Sequence, residues 1–586
     1  THFAMDYFGG PGVKVTPVMR DDRAEVTVEL WLEWGGKSRD SKLAEVIISD
    51  QNGMVAKSQT IVEAPKKASE VDSALPGTDR EPDAILHFTI QHPHLWQGIL
   101  DPHLYTLTAR LSETESNSSS QMVTDIQSGV QQAISRKVSQ NSIPQADERL
   151  DQVSLRFGCR SFSVDPDKGF LLNGVSYPLR GVSRHQDREG VGNALAPWMH
   201  REDMELIREM GATSIRLAHY QHDQYFYDLC DAYGMVVWAE IPYITSHMDS
   251  GRENTLSQMR ELVVQNHHHA SICFWAVSNE ISVGGMTEKV LENNQALHNL
   301  CKSLDPHRLT AMACAFMLDQ DSPMLKITDL VSYNHYFGWY HGEMEDNDAW
   351  FDDFREKHPC MPVGLSEYGA EAVMKWQTAR PERGDYTEQY QARYHEHMLE
   401  MMKARPWLWC TYVWNMFDFG ADGRDEGGVK GRNNKGLGTF DRKVKKDSFY
   451  LYKAYWSKEP FVYIAGRRYV NRAEKVSEIT VYSNQPTVEL YQNGRLAERK
   501  EGQNVFRFQV TMEPENAILV KAGEQQDSVI LYGVEKPDAS YVLPVQGEVE
   551  NWFNDLLETK EGYFSLEDKV GELVQKPEGL QIFREF

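Results

Sequence analysis

Between residues 173 and 457 short apolar runs alternate with amphipathic stretches, and this alternation constrains the fold more than any other feature. Eight such repeats in roughly 280 residues are typical of a closed (β/α)8 barrel of TIM type. Gly211 and Gly234 stand where two of the helices should end. The predicted barrel strands are Tyr177–Val182, Thr213–Ala218, Met235–Glu240, Ile272–Ser278, Leu309–Cys314, Leu330–Asn334, Met361–Ser366 and Leu408–Trp414.

The segments on either side of this region have the two-residue period of β-strands. From Ala24 to Trp34 the even positions are apolar, and Asn52-Gly53 and Asn493-Gly494 are hairpin-turn signals. We therefore predict a multidomain α/β and β protein, a central barrel flanked by immunoglobulin-like β-sandwiches. The predicted domains are a sandwich at 1–158 with a polar insertion at 112–148, the catalytic barrel at 159–457, a second sandwich at 458–536 and a helical tail at 537–586.

Composition excludes several classes of partner. The net charge of −25 disfavours binding to nucleic acid or an anionic membrane surface. The sequence contains no apolar run of about 18 residues that could cross a membrane. The seven cysteines are scattered and mostly fall in apolar patterns, which indicates buried free thiols and a cytoplasmic protein.

Polar residues cluster where the predicted barrel strands end, which is where barrel enzymes carry their active sites. Glu280 follows the fourth strand and Glu367 follows the seventh, so the two carboxyl groups should face each other across the barrel mouth. Hydrolysis of a glycoside needs such a pair, and a separation of about 5 Å predicts retention of configuration. Their environments should keep Glu280 protonated and Glu367 ionised.

Each of these residues also has a structural interpretation. A single strand-end glutamate is more often part of an ion pair than a catalyst, and only the opposed pair favours catalysis. Glu240 could be a third acid, but a partner role for Arg216 is preferred. Trp414 could fill the core or form a platform for a sugar ring.

Several long motifs resemble those of glycoside hydrolase family 2 and occur in the same order along the chain. Their sequences are most similar to the bacterial β-galactosidases of that family. Ser-Asn-Glu at 278–280 and Leu-Ser-Glu-Tyr-Gly at 365–369 carry the two glutamates. The other matching motifs are RGVSRHQD at 180–187, IRLAHY at 215–220, YNHYFGWY at 333–340, TYVWNMFDFG at 411–420 and NKGLGTFDRKVKKDSFYLYKAYW at 434–456.

The resemblance implies roles for individual positions. Glu280 would be the acid/base and Glu367 the nucleophile. Asn279 would hold the sugar 2-hydroxyl, and Tyr336 would touch the nucleophile. The further implied sugar contacts are His185, His219, Trp414 and, more weakly, Asp187.

The chain departs from the family pattern at three places. It begins near the junction that normally follows an N-terminal jelly-roll domain, which suggests a truncated chain. The stretch from Glu240 to His247 does not match the magnesium-binding Glu-x-His of some members, so no catalytic metal and no cofactor are expected. Asn433 and Lys435 fit an Asn-x-Lys pattern that grips the sugar carboxylate in β-glucuronidases.

The expected function is a retaining exo-β-glycosidase that hydrolyses terminal β-D-galactosides, with a carbohydrate as substrate and a homo-oligomer as a possible assembly. A β-glucuronidase or β-galacturonidase is the alternative within the family. A sugar-binding or scaffolding protein that has lost catalysis is the alternative from another class.

Overall fold

The computed structural model describes residues 1–4, 8–35, 40–64, 80–114 and 149–544, with the single positions 549 and 576. The predicted tail helices at 549–557 and 566–574 and most of the polar insertion lie outside the described residues. The chain divides into two compact units. The first contains residues 1–96, 103–160 and 263–270, and the second contains the remainder.

The first unit is built on two antiparallel sheets. One sheet has the order β2-β3-β7 and the other β6-β5-β8-β9. Strand β3 alternates exposed or half-buried positions with buried ones, as the period-two pattern predicts, and its inward residues join a core from both sheets. The strands are β1 His2–Phe3, β2 Val13–Arg20, β3 Arg23–Leu30, β4 Leu32–Glu33, β5 Lys42–Asp50, β6 Gly53–Val62, β7 Ala84–Gln91, β8 Tyr105–Glu113 and β9 Arg149–Phe157.

The second unit contains a closed parallel barrel of eight strands in sequential order, which confirms the predicted fold class. A small antiparallel sheet of β10 Phe162–Asp165, β11 Gly169–Leu172 and β12 Val175–Ser176 precedes it. The barrel strands are β13 Arg180–Arg184, β14 Ser214–Leu217, β15 Val236–Glu240, β16 Ile272–Asn279, β17 Leu309–Ala315, β18 Leu330–Asn334, β19 Val363–Tyr368 and β20 Thr411–Val413.

Helices follow the barrel strands and cover them. Gly211 and Gly234 end the first two helices, as predicted, and adopt left-handed φ angles of 89° and 75°. Within the described residues no helix is long and apolar enough to cross a membrane. The helices are α1 Pro197–Met210, α2 Gln224–Tyr233, α3 Arg252–Asn266, α4 Glu288–Leu304, α5 Asp346–Lys357, α6 Glu388–Ala404 and α7 Asp447–Trp456.

Two further β elements complete the second unit. A hairpin after the last barrel strand consists of β21 Phe419–Glu426 and β22 Val429–Asn433. A C-terminal pair of sheets then shares one apolar core. Its strands are β23 Val462–Ile464, β24 Asn471–Arg472, β25 Val476–Ser483, β26 Thr487–Gln492, β27 Arg495–Glu501, β28 Asn504–Thr511, β29 Asn516–Ala522 and β30 Gln525–Gly533.

The cysteines agree with the expectation of free thiols. None of the seven forms a disulfide; six are buried, and Cys360 is exposed. Burial raises the pKa of the Cys230 and Cys410 thiols well above the usual value, so both are protonated and unreactive.

Candidate active site at the barrel mouth

Arg216 on β14 is the hub of the polar cluster at the carboxyl ends of the barrel strands. Its guanidinium is fully buried and donates from Nη1 to Glu367 Oε1 at 2.6 Å. It also donates to both oxygens of Glu240, at 3.0 and 3.1 Å, and to Asn279 Oδ1 at 2.8 Å. One side chain thus ties β14 to β15, β16 and β19, and the predicted pairing of Arg216 with Glu240 is confirmed.

Glu367 on β19 lies between two strong hydrogen-bond donors. Arg216 contacts Oε1, and the Tyr336 hydroxyl donates to Oε2 at 2.8 Å. His219 Nε2 lies 3.9 Å from Oε1. These groups stabilise negative charge on the carboxylate and fix its orientation. The contact between Tyr336 and Glu367 is the one that the family resemblance implied.

Glu280 is placed differently from Glu367. It is 4% exposed and adopts a left-handed φ of 49° directly after β16, so the chain turns at this residue. Its backbone N–H donates to Ala313 O on β17 at 2.8 Å. Burial and the nearby Glu367 carboxylate raise the pKa of Glu280 well above the usual range, although Asn334 and Arg216 oppose this shift. This environment favours the protonated form of Glu280.

Asn279 is held in one orientation between the two glutamates. Its Oδ1 accepts from Arg216 and from Asn334 Nδ2, the latter at 3.1 Å. Asn334 is held in turn by Ser366, whose hydroxyl donates to Asn334 Oδ1 at 2.7 Å. The Asn279 oxygen already accepts two hydrogen bonds. A ligand would therefore contact this side chain through its amide N–H groups, which donate.

Glu240 serves as the anchor of His219. His219 Nδ1 donates to Glu240 Oε1 at 2.6 Å, and Trp238 Nε1 donates to Oε2 at 2.6 Å. Burial raises the pKa of Glu240, but Arg216 and His219 outweigh it and lower the pKa to about 2. The residue is a fixed anion that sets the tautomer and direction of His219.

Aromatic rings form one wall of the site. Trp414 is 7% exposed and stacks on His219, with ring centroids 4.9 Å apart. His185 stacks on Phe419 at 4.3 Å and meets Trp414 edge-on at 5.3 Å. Burial lowers the pKa of His185 well below its usual value, so the ring is neutral. A neutral aromatic wall of this kind can pack against the apolar face of a sugar ring.

Asp187 has one oxygen in use and one without a partner. Its Oδ2 accepts from Gly420 N at 2.9 Å, whereas the buried Oδ1 has no hydrogen-bond partner among the residues that the structure describes. A buried acceptor without a partner in a ligand site needs an explanation. A hydroxyl group of a bound ligand would satisfy it.

A second charged cluster, here called the hairpin cluster, consists of Lys435, Glu371, Tyr340, Arg424 and Glu426. Lys435 Nζ is 1% exposed and donates to Tyr340 OH at 2.6 Å and to Glu371 Oε1 at 2.9 Å. Arg424 Nη1 donates to Tyr340 OH at 3.1 Å and to both Glu426 oxygens at 3.0 Å. Burial and Glu371 raise the pKa of Glu426 above the usual range.

Asn433 contributes to this cluster through the backbone. Its Oδ1 accepts from the backbone N–H of Lys435 at 3.1 Å, so it shapes the turn from which the lysine extends. The Lys435 ammonium lies 5.7 Å from the centre of the Tyr336 ring, and Tyr336 contacts Glu367. The hairpin cluster is therefore continuous with the glutamate pair.

The structure thus brings together the residues singled out in the sequence. Arg216, Arg424 and Glu371 lie among them but were not assigned to the site from sequence. Arg216 stands inside the IRLAHY motif, and a buried arginine flanked by strand-end acids was a usable signal. For Arg424 the only usable sequence signal was Gly427-Gly428, which indicates the turn of the hairpin that carries it.

The fold and the cluster define a (β/α)8-barrel protein with an opposed pair of buried carboxyl groups at the carboxyl ends of its strands. Family models match at residues 164–459, described as the TIM barrel domain of glycosyl hydrolases family 2, and at residues 11–125, described as glycosyl hydrolases family 2. The chain belongs to glycosyl hydrolases family 2.

Similar proteins refine this placement. A β-glucuronidase of Bacteroides fragilis is 36% identical over 84% of this chain and 65% of its own length. An FMN-binding β-glucuronidase of Faecalibacterium prausnitzii L2-6 has a similar structure, with 41% identity, a TM-score of 0.81 and coverage of 93% of this chain and 77% of its own. A structure described as a putative β-galactosidase from Bacteroides fragilis has 31% identity, a TM-score of 0.80 and coverage of 91% and 75%.

The chain is shorter than its curated relatives. It spans 65% of the first one's length and 51% of a putative β-glucuronidase of Formosa agariphila. Several mammalian relatives, those of pig and mouse among them, are also named β-glucuronidase.

Proposed function

We propose that this chain is a retaining exo-β-glycosidase whose preferred substrates are β-glucuronides. The observation that carries the proposal is the hairpin cluster. It places the Lys435 ammonium 5.7 Å from the ring of Tyr336, the residue that donates to Glu367, and it places Arg424 beside Lys435 through shared contacts to Tyr340 and Glu371. A terminal sugar with a carboxylate at C6 would find charge-assisted donors there. The names of the relatives support the same choice of substrate.

The chemistry divides between the two glutamates. Glu367 attacks the anomeric carbon with a carboxylate oxygen, and the bond from that carbon to the leaving oxygen breaks. Glu280 gives its proton to the leaving oxygen and becomes the base that activates water for the second displacement. Arg216 and Tyr336 hold the nucleophile in line, and Asn279 donates to the sugar 2-hydroxyl, a contact that strengthens in the transition state.

A pair of substrates tests the choice of sugar. The nitrophenyl β-glucuronide should be hydrolysed with a kcat/KM at least about 100-fold above that of the β-galactoside, as expected for a charge-assisted contact of about 3 kcal/mol. A Lys435→Met variant should lose most of the glucuronide rate and little of the galactoside rate. The nitrophenyl β-galacturonide, which differs at C4, separates the two uronic acids.

The double variant Glu280→Gln/Glu367→Gln is the control for contaminating activity. A preparation that turns over all three sugars equally in wild type and double variant would contradict the glycosidase proposal. Tight binding of a glucuronide without turnover would favour the non-catalytic sugar-binding alternative. If the wild type prefers the galactoside and Lys435→Met leaves this preference unchanged, the original prediction of a β-galactosidase would be supported.

We further propose FMN as a second ligand, because one structural relative is an FMN-binding enzyme and the second unit contains a separate cavity. This cavity, of about 520 Å³, lies between α6 and the C-terminal sheets. Four arginines and the four acids Glu396, Asp447, Glu474 and Glu478 line it, and Tyr469 and Tyr482 lie on its wall. Of the arginines, Arg380 and Arg393 form no ion pair with any residue that the structure describes. Arginines and tyrosines suit a phosphate and a flat ring.

Titration with FMN, followed by the fluorescence of the flavin, tests this second proposal. Arg380→Glu/Arg393→Glu should weaken binding at least tenfold, and riboflavin, which lacks the phosphate, should bind poorly to both proteins. Equal binding of FMN to wild type and double variant would remove this cavity as the site. That result would not bear on the proposed hydrolysis of glucuronides.

A further inference from the structure

Another cavity lies at the barrel mouth beside the segment that follows Glu280. It has a volume of about 580 Å³ and is formed by the segments that follow β16 and β17. Ser282, in its lining, is two residues from Glu280, so their Cα atoms are separated by at most about 7.6 Å. Val283 N donates to Glu280 O at 3.0 Å, which holds this segment against the glutamate.

The cavity presents apolar side chains to solvent. Met286 and Met317 line it and are 39% and 44% exposed. Ile244 is 38% exposed on the neighbouring β15 loop and forms a bridge with Asn279. Three consecutive barrel loops thus expose large apolar groups beside the site, a grouping that marks a binding surface more often than chance exposure. Methionine adapts its shape to varied apolar ligands.

The charge of the cavity is also one-sided. Asp319 and Asp321 are in its lining, which contains no lysine or arginine among the described residues. His358 Nε2 lies 3.6 Å from Asp321 Oδ1, and Lys357, outside the lining, interacts electrostatically with both aspartates. An anionic ligand would be repelled here, whereas a neutral or cationic apolar ligand would not.

We infer that this cavity is the leaving-group subsite, and that it accepts a neutral or cationic, ring-containing apolar aglycone. The inference rests on the proposed function. Because Glu280 donates its proton to the oxygen that joins sugar and aglycone, the aglycone must lie on the Glu280 side of the broken bond. The leaving group departs as a neutral alcohol or phenol, carrying that proton.

Three glucuronides with different leaving groups test the subsite. A naphthyl aglycone fills the apolar cavity, a methyl group does not reach it, and a carboxyphenyl group adds a negative charge. For Met286→Ser/Met317→Ser, the naphthyl-to-methyl ratio of kcat/KM should fall about tenfold, since each variant removes apolar contact area. Leu496→Ser removes an apolar side chain that is 54% exposed on the C-terminal sheets and should leave the ratio unchanged.

The charge is tested by Asp319→Asn/Asp321→Asn. This variant should raise kcat/KM for the carboxyphenyl glucuronide about threefold to tenfold relative to the naphthyl glucuronide, and high salt should reduce the difference. The ratios are internal to each protein, so a loss of folded protein does not alter them.

The outcomes separate this inference from the proposed function. If all three substrates are hydrolysed and neither double variant changes the ratios of their kcat/KM values, the subsite is overturned and the proposed glycosidase function stands. If no glucuronide is hydrolysed, the proposed function fails, and calorimetric affinities for the naphthyl and methyl glucuronides then make the same comparison. Equal affinities in that experiment would overturn the subsite as well.

Discussion

The glutamate pair and the hairpin cluster are adjacent, but they are built in different ways. Around Glu367 one donor, Tyr336, follows the end of β18, and the other, Arg216 on β14, is fully buried with several fixed acceptors. In the hairpin cluster Arg424 extends from a two-stranded hairpin, its side chain is 16% exposed, and its acceptors are shared with Lys435. The barrel cluster thus holds the glutamate pair through fully buried contacts, while Arg424, one of the two cations proposed to select the sugar, extends from a more exposed hairpin.

Removal of the nucleophile should have the largest effect and should be independent of the sugar. Glu367→Ala is expected to lower kcat by about 10⁴-fold or more on every glycoside, because the covalent step is lost. Azide should restore turnover of nitrophenyl substrates and give a glycosyl azide of inverted configuration. Residual activity near the wild-type level without azide would show that Glu367 is not the nucleophile.

Arg216 tests whether the barrel side of the comparison is as rigid as its contacts suggest. Arg216→Met leaves the carboxylates of Glu240 and Glu367 without their buried cation, so the free energy of unfolding should fall by about 3–5 kcal/mol. Arg216→Lys keeps the charge and should retain the fold, while kcat falls about 10²-fold to 10³-fold on glucuronide and galactoside alike. Unequal losses of kcat on the two sugars would show that Arg216 also affects the choice of sugar, and so would contradict the distinction between the glutamate pair and the hairpin cluster.

Arg424 tests the hairpin side. Arg424→Met should lower kcat/KM for a glucuronide about 10-fold to 100-fold and change the galactoside rate less than about threefold, because one charge-assisted contact to the carboxylate is lost. Arg432→Met, in the same hairpin with an exposed ion pair to Glu189, is the matched control. Equal effects of the two substitutions would argue against a special position for Arg424.

The pH profile tests the different environments of the two glutamates. Burial raises the pKa of Glu280, so the protonated form needed for acid catalysis is present below that pKa and is lost as pH rises through it. The kcat/KM for a poor leaving group should therefore decline on the alkaline side. Glu280→Gln should abolish this alkaline limb, and a nitrophenyl leaving group, which needs little protonation, should show the smallest dependence.

Much of the barrel was predictable because its signal is local. Each of the eight predicted strands overlaps an observed one, but the ends differ. The first strand begins at Arg180 and not at Tyr177, since Pro178 has no N–H for the ladder and its carbonyl accepts from Thr213. The hairpin at 419–433 was not predicted, although Gly427 and Gly428 adopt the positive φ angles of a tight turn.

The sequence by itself determined the repeat, the order of the strands and the presence of a glutamate after the fourth and seventh of them. Alternating apolar positions and turn residues act over a few neighbours, so they can be read without a structure. Only the tertiary structure decided that Arg216 meets Glu367, 151 residues away, and that Lys435 meets Glu371, 64 residues away. Closure of the barrel creates these contacts, because it brings strand ends together that no local pattern connects.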